Sequence, residues 1–431
     1  MSDQDENRPE DIEELLKRLL SGEAINPEEL AQAAGLPIDP TALAQLMNQL
    51  GAAMTQLNPN EGVNWDLALS SAREIARSGT KPVPESVGKQ LAASSLTAAL
   101  WLDEVTDFPQ GTLEPKLLSR ELWVADSIGL FKDLSSPVAE RMANALSENF
   151  RENLPEEMDG MMAQASGMMK SAGSVMFAMQ LGQALGKLSE EVLSGGDIGL
   201  PIFETSRAAF VPQNLSTFIE ELDQESDQAY LYLAVRELAH ARLFKHSKWL
   251  REYIVNLISS YAREITIDNS KIAELSENFD PNDLASIQQA LEKGALIAPR
   301  TDAQTRALEA IETSLALIEG WVDCVSKKAT VRLPKADAIG EAVRRRRATG
   351  GPAEKTFLTL IGLELRPRKL REASKMWEAI TEAVGHERRD SIWEHPDLMP
   401  TESDIKDPAS LIAKLSGGES DLDAELRDLL S

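Results

Sequence analysis

The stretch Arg236-Glu237-Leu238-Ala239-His240 differs by one residue from H-E-x-x-H. In that pattern two histidines one helical turn apart present nitrogens to a metal ion, and the glutamate takes a proton from metal-bound water. Glu237 keeps the position of the base and His240 that of the second ligand, while Arg236 stands where the first ligand belongs. Arginine offers five donors, no free lone pair and a permanent positive charge, so it cannot ligate a cation and repels one. As a two-histidine site the pentapeptide is broken. The plain alternative is an ordinary amphipathic helix: Leu231, Ala234, Val235 and Leu238 form an apolar arc and leave Arg236, Glu237 and His240 on the charged side.

A second piece lies in "LALIEGWVDCV", Leu315 to Val325, where Glu319 and Asp323 stand one helical turn apart on an otherwise apolar run. Two carboxylates so placed repel, and need either solvent or a partner. Helical metal sites of this pattern commonly take a third ligand from such a Glu on a later helix. If Glu319 is that ligand and Arg236 points where a histidine would, an arginine–carboxylate pair could replace the cation. His246 supplies a different possibility. It follows His240 at the separation used by H-E-x-x-H-x-x-G-x-x-H, although Leu243 occupies the glycine position. A helix that runs on rotates His246 away, whereas one that stops near Phe244, with Ser247 capping the next, swings it back. In the latter case His240, His246 and Glu319 form a rearranged three-ligand zinc site with an open position for water.

Other motifs carry less. The run Arg344–Arg347 in "RRRRATGG" has no interleaved aromatics to stack bases, and the preceding "EAV" places it at a helix C-terminus, where cations are favoured. Structural roles are the expected use, closing the helix with some arginines paired to acidic side chains; binding an anion such as a substrate carboxylate is the alternative. "HERRD", from His386, lacks a second histidine and follows Gly385, which suggests a loop; His395 precedes a proline. Cys324, the single cysteine, reads as a buried inert thiol and excludes both an intrachain disulfide and a multi-cysteine zinc site. No phosphate-binding glycine loop or serine-nucleophile elbow is present.

The elements that must position these residues are helices. Apolar residues recur at three- and four-residue steps in "PESVGKQLAASSLTAALWLDEV", "SPVAERMANALSENF", "SKWLREYIVNLISSYAREI", "DAQTRALEAIETSLALIEGWVDCVSKKA" and "RKLREASKMWEAITEAV". Starts are expected at Ser136-Pro137, Asp280-Pro281 and Asp302. "TVRLP" and "LPIFE" are the best strand candidates. The Met-, Ala- and Gly-rich segment Met158–Leu188 is interrupted by Gln164, Lys170, Gln180 and Gln183, and reads as a buried helix rather than a membrane span. The fold class expected is mainly α, with little or no sheet. Residues 1–60 read as an acidic flexible arm with short helices, 61–400 as the helical core and 401–431 as an acidic tail. With 70 acidic against 44 basic side chains, the formal charge of −26 disfavours nucleic acid and anionic membranes as partners. The acidic N-terminus has no signal-peptide pattern, and a cytoplasmic location is the expectation.

Several long segments are familiar as a set. "GDIGLPIF", "LAVRELAHARLFKHSKWLR", "ALEAIETSLALIEGWVD", "EAVRRRRATGGPAEKTFLTLIGLELRPRKLREASKMW" and "RRDSIWEHPDLMPTESDIKDP" together resemble the actinobacterial zincin-like hydrolases, usually labelled zinc-dependent metalloproteases. The chain is similar to the branch that reads R-E-x-A-H in place of H-E-x-x-H. The resemblance implies a zincin-like helical fold, zinc as cofactor and a peptide or protein substrate. It places Glu237 on the catalytic base, His240 on the second zinc ligand, Glu319 on the third and Asp323 beside it, and leaves the first ligand without a counterpart because Arg236 stands there. The same fold without catalysis, serving as a binding or scaffolding protein, is the alternative.

Overall fold

The computed structural model describes residues 63–112, 114–152, 159–203, 207–222, 224–264, 300–348, 356–357 and 369–416. The expected arm over 1–60, the Asp280-Pro281 helix start and the end of the expected tail over 417–431 lie outside them. The described residues fall into two compact units. One holds 63–67, 139–152 and 159–179, which are helical from Trp65 on; the other holds those within 68–138, 180–264 and 300–416.

The architecture is mainly α, as expected. Helices are α1 (Trp65–Ser78), α2 (Glu85–Leu102), α3 (Arg120–Glu152), α4 (Asp159–Glu191), α5 (Pro212–Glu221), α6 (Ser226–His246), α7 (Trp249–Arg263), α8 (Asp302–Ala329), α9 (Ala336–Ala348), α10 (Leu370–Ser391), α11 (Glu402–Lys406) and α12 (Ala409–Ser416). The strands among the described residues are β1 (Lys116–Leu117) and β2 (Ala209–Phe210), paired in parallel, with Ser194 bridging Phe210 from the other side. Neither expected strand forms. "TVRLP" is the turn after α8, where the Thr330 N–H caps the Ser326 carbonyl; "LPIF" follows Gly199, whose φ of 73° turns the chain out of extended backbone. The helix expected to begin at Ser136-Pro137 instead runs through Pro137 inside α3, and the Ser135 and Ser136 hydroxyls bond carbonyls one turn back. No described helix is long and apolar enough to cross a membrane.

In the second unit α8 is the central element. Its start is fixed by a reciprocal cap between Thr301 and Gln304. α10 lies against it so closely that a Cβ on Gly320 would meet Ala373 at 2.6 Å. The Trp377 indole donates to the Leu317 carbonyl (2.9 Å) and stacks on Trp393. α6 packs on α2 and α8, and Arg242 donates to the Ala99 carbonyl (2.9 Å) near the end of α2. On α4, Gly182 and Gly186 sit one turn apart against Ala68, Ser71 and Ile75 of α1, which is how small residues let two helices approach.

Candidate functional site

α6 is buried around most of its circumference: Arg236, Glu237 and His240 are all buried. The charged side of its apolar arc therefore faces inward rather than solvent. Arg236 Nη2 donates to Glu319 Oε2 at 2.9 Å, and Nη1 lies 3.7 Å from Asp323 Oδ1. Arg347, from the last turn of α9, donates to Glu319 Oε1 at 2.7 Å and to the Asp197 carbonyl. His240 Nε2 lies 3.2 Å from the same Oε1, while Nδ1 lies 3.0 Å from the Arg236 carbonyl. The carbonyl and the carboxylate both only accept, so in each contact the ring nitrogen is the donor. Asp323 is shared further, with Arg344 at 3.1 Å and the Ser374 hydroxyl at 2.9 Å.

Burial sets the electrostatics. Glu319 is 0% exposed, and burial alone would push its carboxyl up. Arg347, then His240 and Arg236, outweigh burial and hold it well below the usual carboxylate range. Burial pulls Arg236 down in turn, but the carboxylates of Glu319 and Asp323 offset it. Tyr232, buried beside Arg236, is pushed up to about 12, chiefly by burial, and stays a neutral phenol. The cluster is a set of ions that need one another: each guanidinium here costs several kcal/mol to desolvate, roughly, unless its carboxylate is present.

Glu237 does something other than face open space. Its Oε2 accepts the Gly196 N–H at 2.8 Å and its Oε1 the Ala209 N–H at 2.9 Å, so both oxygens hold backbone. Burial raises its carboxyl, opposed by those hydrogen bonds and by the charge of His240. The loop from Ser194 to Gly199 that it anchors lies directly on the histidine and Glu319. A Cβ on Gly196 would fall 2.5 Å from His240, and one on Gly199 would fall 2.8 Å from both Arg347 and Glu319. Asp197 ties the loop to α9 through Arg346 at 2.7 Å and also accepts the Leu193 N–H; burial raises it, and Arg346 outweighs burial and lowers it. Cavities of about 20 Å³ flank Glu237 and His240 on either side. Each has room for a water molecule and none for a peptide.

The donor set was tested against a zinc ion. Two zinc ligands at about 2.0–2.1 Å in tetrahedral geometry stand about 3.4 Å apart, and His240 Nε2 and Glu319 Oε1 keep nearly that separation at 3.2 Å. The histidine's Nδ1 bond to a carbonyl is likewise the support a metal-binding imidazole uses. The rest of the set does not fit. Two guanidiniums hold the Glu319 oxygens, the first-ligand position carries one of those charges, and both Glu237 oxygens are occupied by backbone. Among the described residues no three His, Cys, Asp or Glu side chains converge as a metal site would require.

The structure brings Arg236, Glu237, His240, Glu319 and Asp323 together and leaves His246 out. α6 continues through Leu243 to His246, six residues on, or about 240° round the helix. The exposed His246 imidazole stacks on Phe108 with centroids 4.2 Å apart. The arginine run serves acidic partners: Arg344 takes Asp323, Arg346 takes Asp197 and Arg347 takes Glu319. "HERRD" is helical rather than the loop expected: Gly385, at φ 84°, kinks α10 just before it, and its last two residues form a buried pair, with Asp390 also accepting from Thr106 and the Trp321 indole. Cys324 is buried, and burial raises its thiol. Asp197 is the site residue that the sequence motifs did not reveal, and the Gly195-Gly196 doublet before it was the available signal; Arg347 was named only as part of its run, without a partner.

A family model of zincin-like metallopeptidases matches residues 63–412. No curated protein matches the sequence. Among solved structures, a proposed hydrolase with a novel fold from Chloroflexus aurantiacus is similar, with a TM-score of 0.56 and 20% identity over 82% of this chain and 99% of that one. At this identity the likeness is one of fold.

Proposed function

The chain belongs to the zincin-like metallopeptidase family, and on that premise we propose that its hydrolytic centre has become a buried ion cluster, leaving a zincin-fold protein that binds or scaffolds a protein or peptide partner. The carrying observation is the 2.9 Å bond from Arg236 to Glu319, which puts a permanent cation where the family's motif has a ligand. Two further features support it. Glu237, in the position of the base, spends both oxygens on the Gly196 and Ala209 amides. The glycine loop it holds lies against His240 and Glu319, and the space left beside His240 is about 20 Å³.

A zinc-dependent hydrolase with an altered motif is the second reading, favoured by the family and by the 3.2 Å spacing of His240 and Glu319. Metal analysis of protein purified without chelator, alongside a peptidase assay with added zinc, separates the two. The proposal expects no retained zinc and no zinc-dependent cleavage. Stoichiometric zinc that survives dialysis against chelator sinks it.

A further inference from the structure

The charge around Glu319 does not end with Arg236. We infer that the metal position is closed by two cations, and that Arg347 is a second, independent block to metal binding. The inference rests on the reading that Arg236 replaces a ligand. Glu319 has two carboxylate oxygens, and each holds a different guanidinium: Oε2 takes Arg236 at 2.9 Å and Oε1 takes Arg347 at 2.7 Å. Oε1 is also the oxygen beside His240 Nε2, at 3.2 Å. Arg347 therefore sits on the atom that a metal shared between Glu319 and His240 would use. Together the two guanidiniums carry the charge of a zinc ion, so the ion is replaced charge for charge.

Arg347 is held in place without help from Arg236. It comes from α9 rather than α6, and it also donates to the Asp197 carbonyl. Its neighbour Arg346 fixes the Asp197 carboxylate at 2.7 Å, which secures the loop that carries that carbonyl. Gly199, at φ 73°, lets this loop pass where any Cβ would fall 2.8 Å from Arg347 Nη2. Changing Arg236 leaves this latch intact. A histidine at position 236 supplies a third ligand nitrogen but does not free Glu319, so the single reversion does not rebuild a metal site.

The test is zinc titration of chelator-treated full-length protein against a competing metal dye, repeated with cobalt to read tetrahedral ligation by its visible spectrum. The proteins are wild type, Arg236→His, Arg347→Ala and the double variant. Arg347→Met, which keeps the packing of the side-chain stem, is run beside Arg347→Ala, and thermal melts establish that each protein is folded. The double variant is expected to bind one zinc with a tetrahedral cobalt spectrum, and to lose it when Glu319→Gln is added. Arg236→His alone is expected to bind about 100-fold more weakly or not at all. Equal affinity in Arg236→His and the double variant would overturn the second block, as would folded double variants, alanine and methionine alike, that bind no zinc. Zinc on the wild type or on Arg347→Ala alone would instead overturn the reading beneath it, that Arg236 excludes the metal.

Discussion

Replacing Glu319 by glutamine keeps the shape of the side chain and removes its charge. In the folded protein this strands two buried cations. Arg236 keeps Tyr232 and the longer contact to Asp323 at 3.7 Å, Arg347 keeps the Asp197 carbonyl, and the single amide oxygen left at 319 has no charge to offset either guanidinium. Breaking a buried ion pair from one side costs about 3–5 kcal/mol, because the surviving charge stays out of water without its partner. For a unit of this size that is a fall in melting temperature of roughly 5–10 °C. The assay is thermal and urea melting at pH 7 in the presence of chelator. The opposite sign is the point of the experiment. A carboxylate waiting for an absent metal, one turn from Asp323, is a liability in metal-free protein, and glutamine there would be neutral or stabilising. A loss of less than about 1 kcal/mol would refute the ion-cluster reasoning, since that is the size of an exposed pair.

The remaining predictions use other parts of the same geometry. Because Glu319 is held below its ordinary pKa, it stabilises the fold above its unfolded value of about 4.3, and that stability is lost as pH falls through the lowered folded value. The stability gap between wild type and Glu319→Gln should thus stay level from about pH 8 to 5 and shrink only below about pH 4; a gap already closing at pH 6 would contradict it. Glu237→Gln leaves one of the Gly196 and Ala209 amides without an acceptor, so hydrogen exchange at one of them should rise about tenfold; unchanged exchange at both would show that the carboxylate does not anchor the loop. Gly182→Ala puts a Cβ 2.7 Å from the Ala68 carbonyl oxygen and should cost about 1–3 kcal/mol in urea melts. Gly129→Ala, with nothing within 4 Å, should instead stabilise α3 by about 0.5–1 kcal/mol.

The sequence made the helices legible because each buries an apolar stripe long enough to repeat several times. The strands were misread because the real ones are two residues long, and "LPIFE" and "TVRLP" meet turn geometry that composition does not announce. Within the site, the Glu319–Asp323 pair was readable as two carboxylates in an apolar helix that needed a partner. Arg236 was readable as one such partner, but Arg344 and Arg347 were not, since they reach α8 only through the packing of α9. His246 hinged on whether α6 stopped near Phe244, and Leu243 lets the helix continue where a glycine would have invited a turn. The role of Glu237 was hidden for a different reason: its partners are backbone amides of a glycine loop, which side-chain motifs do not reveal.

The central claim is that a guanidinium occupies the metal position. Its most direct test is anomalous diffraction at the zinc edge from crystals of the wild-type protein grown with equimolar zinc. The account predicts no anomalous peak beside His240 and Glu319, with the Arg236 guanidinium within hydrogen-bond distance of the carboxylate. A peak between His240 Nε2 and Glu319 Oε1, with Arg236 turned away, would contradict it.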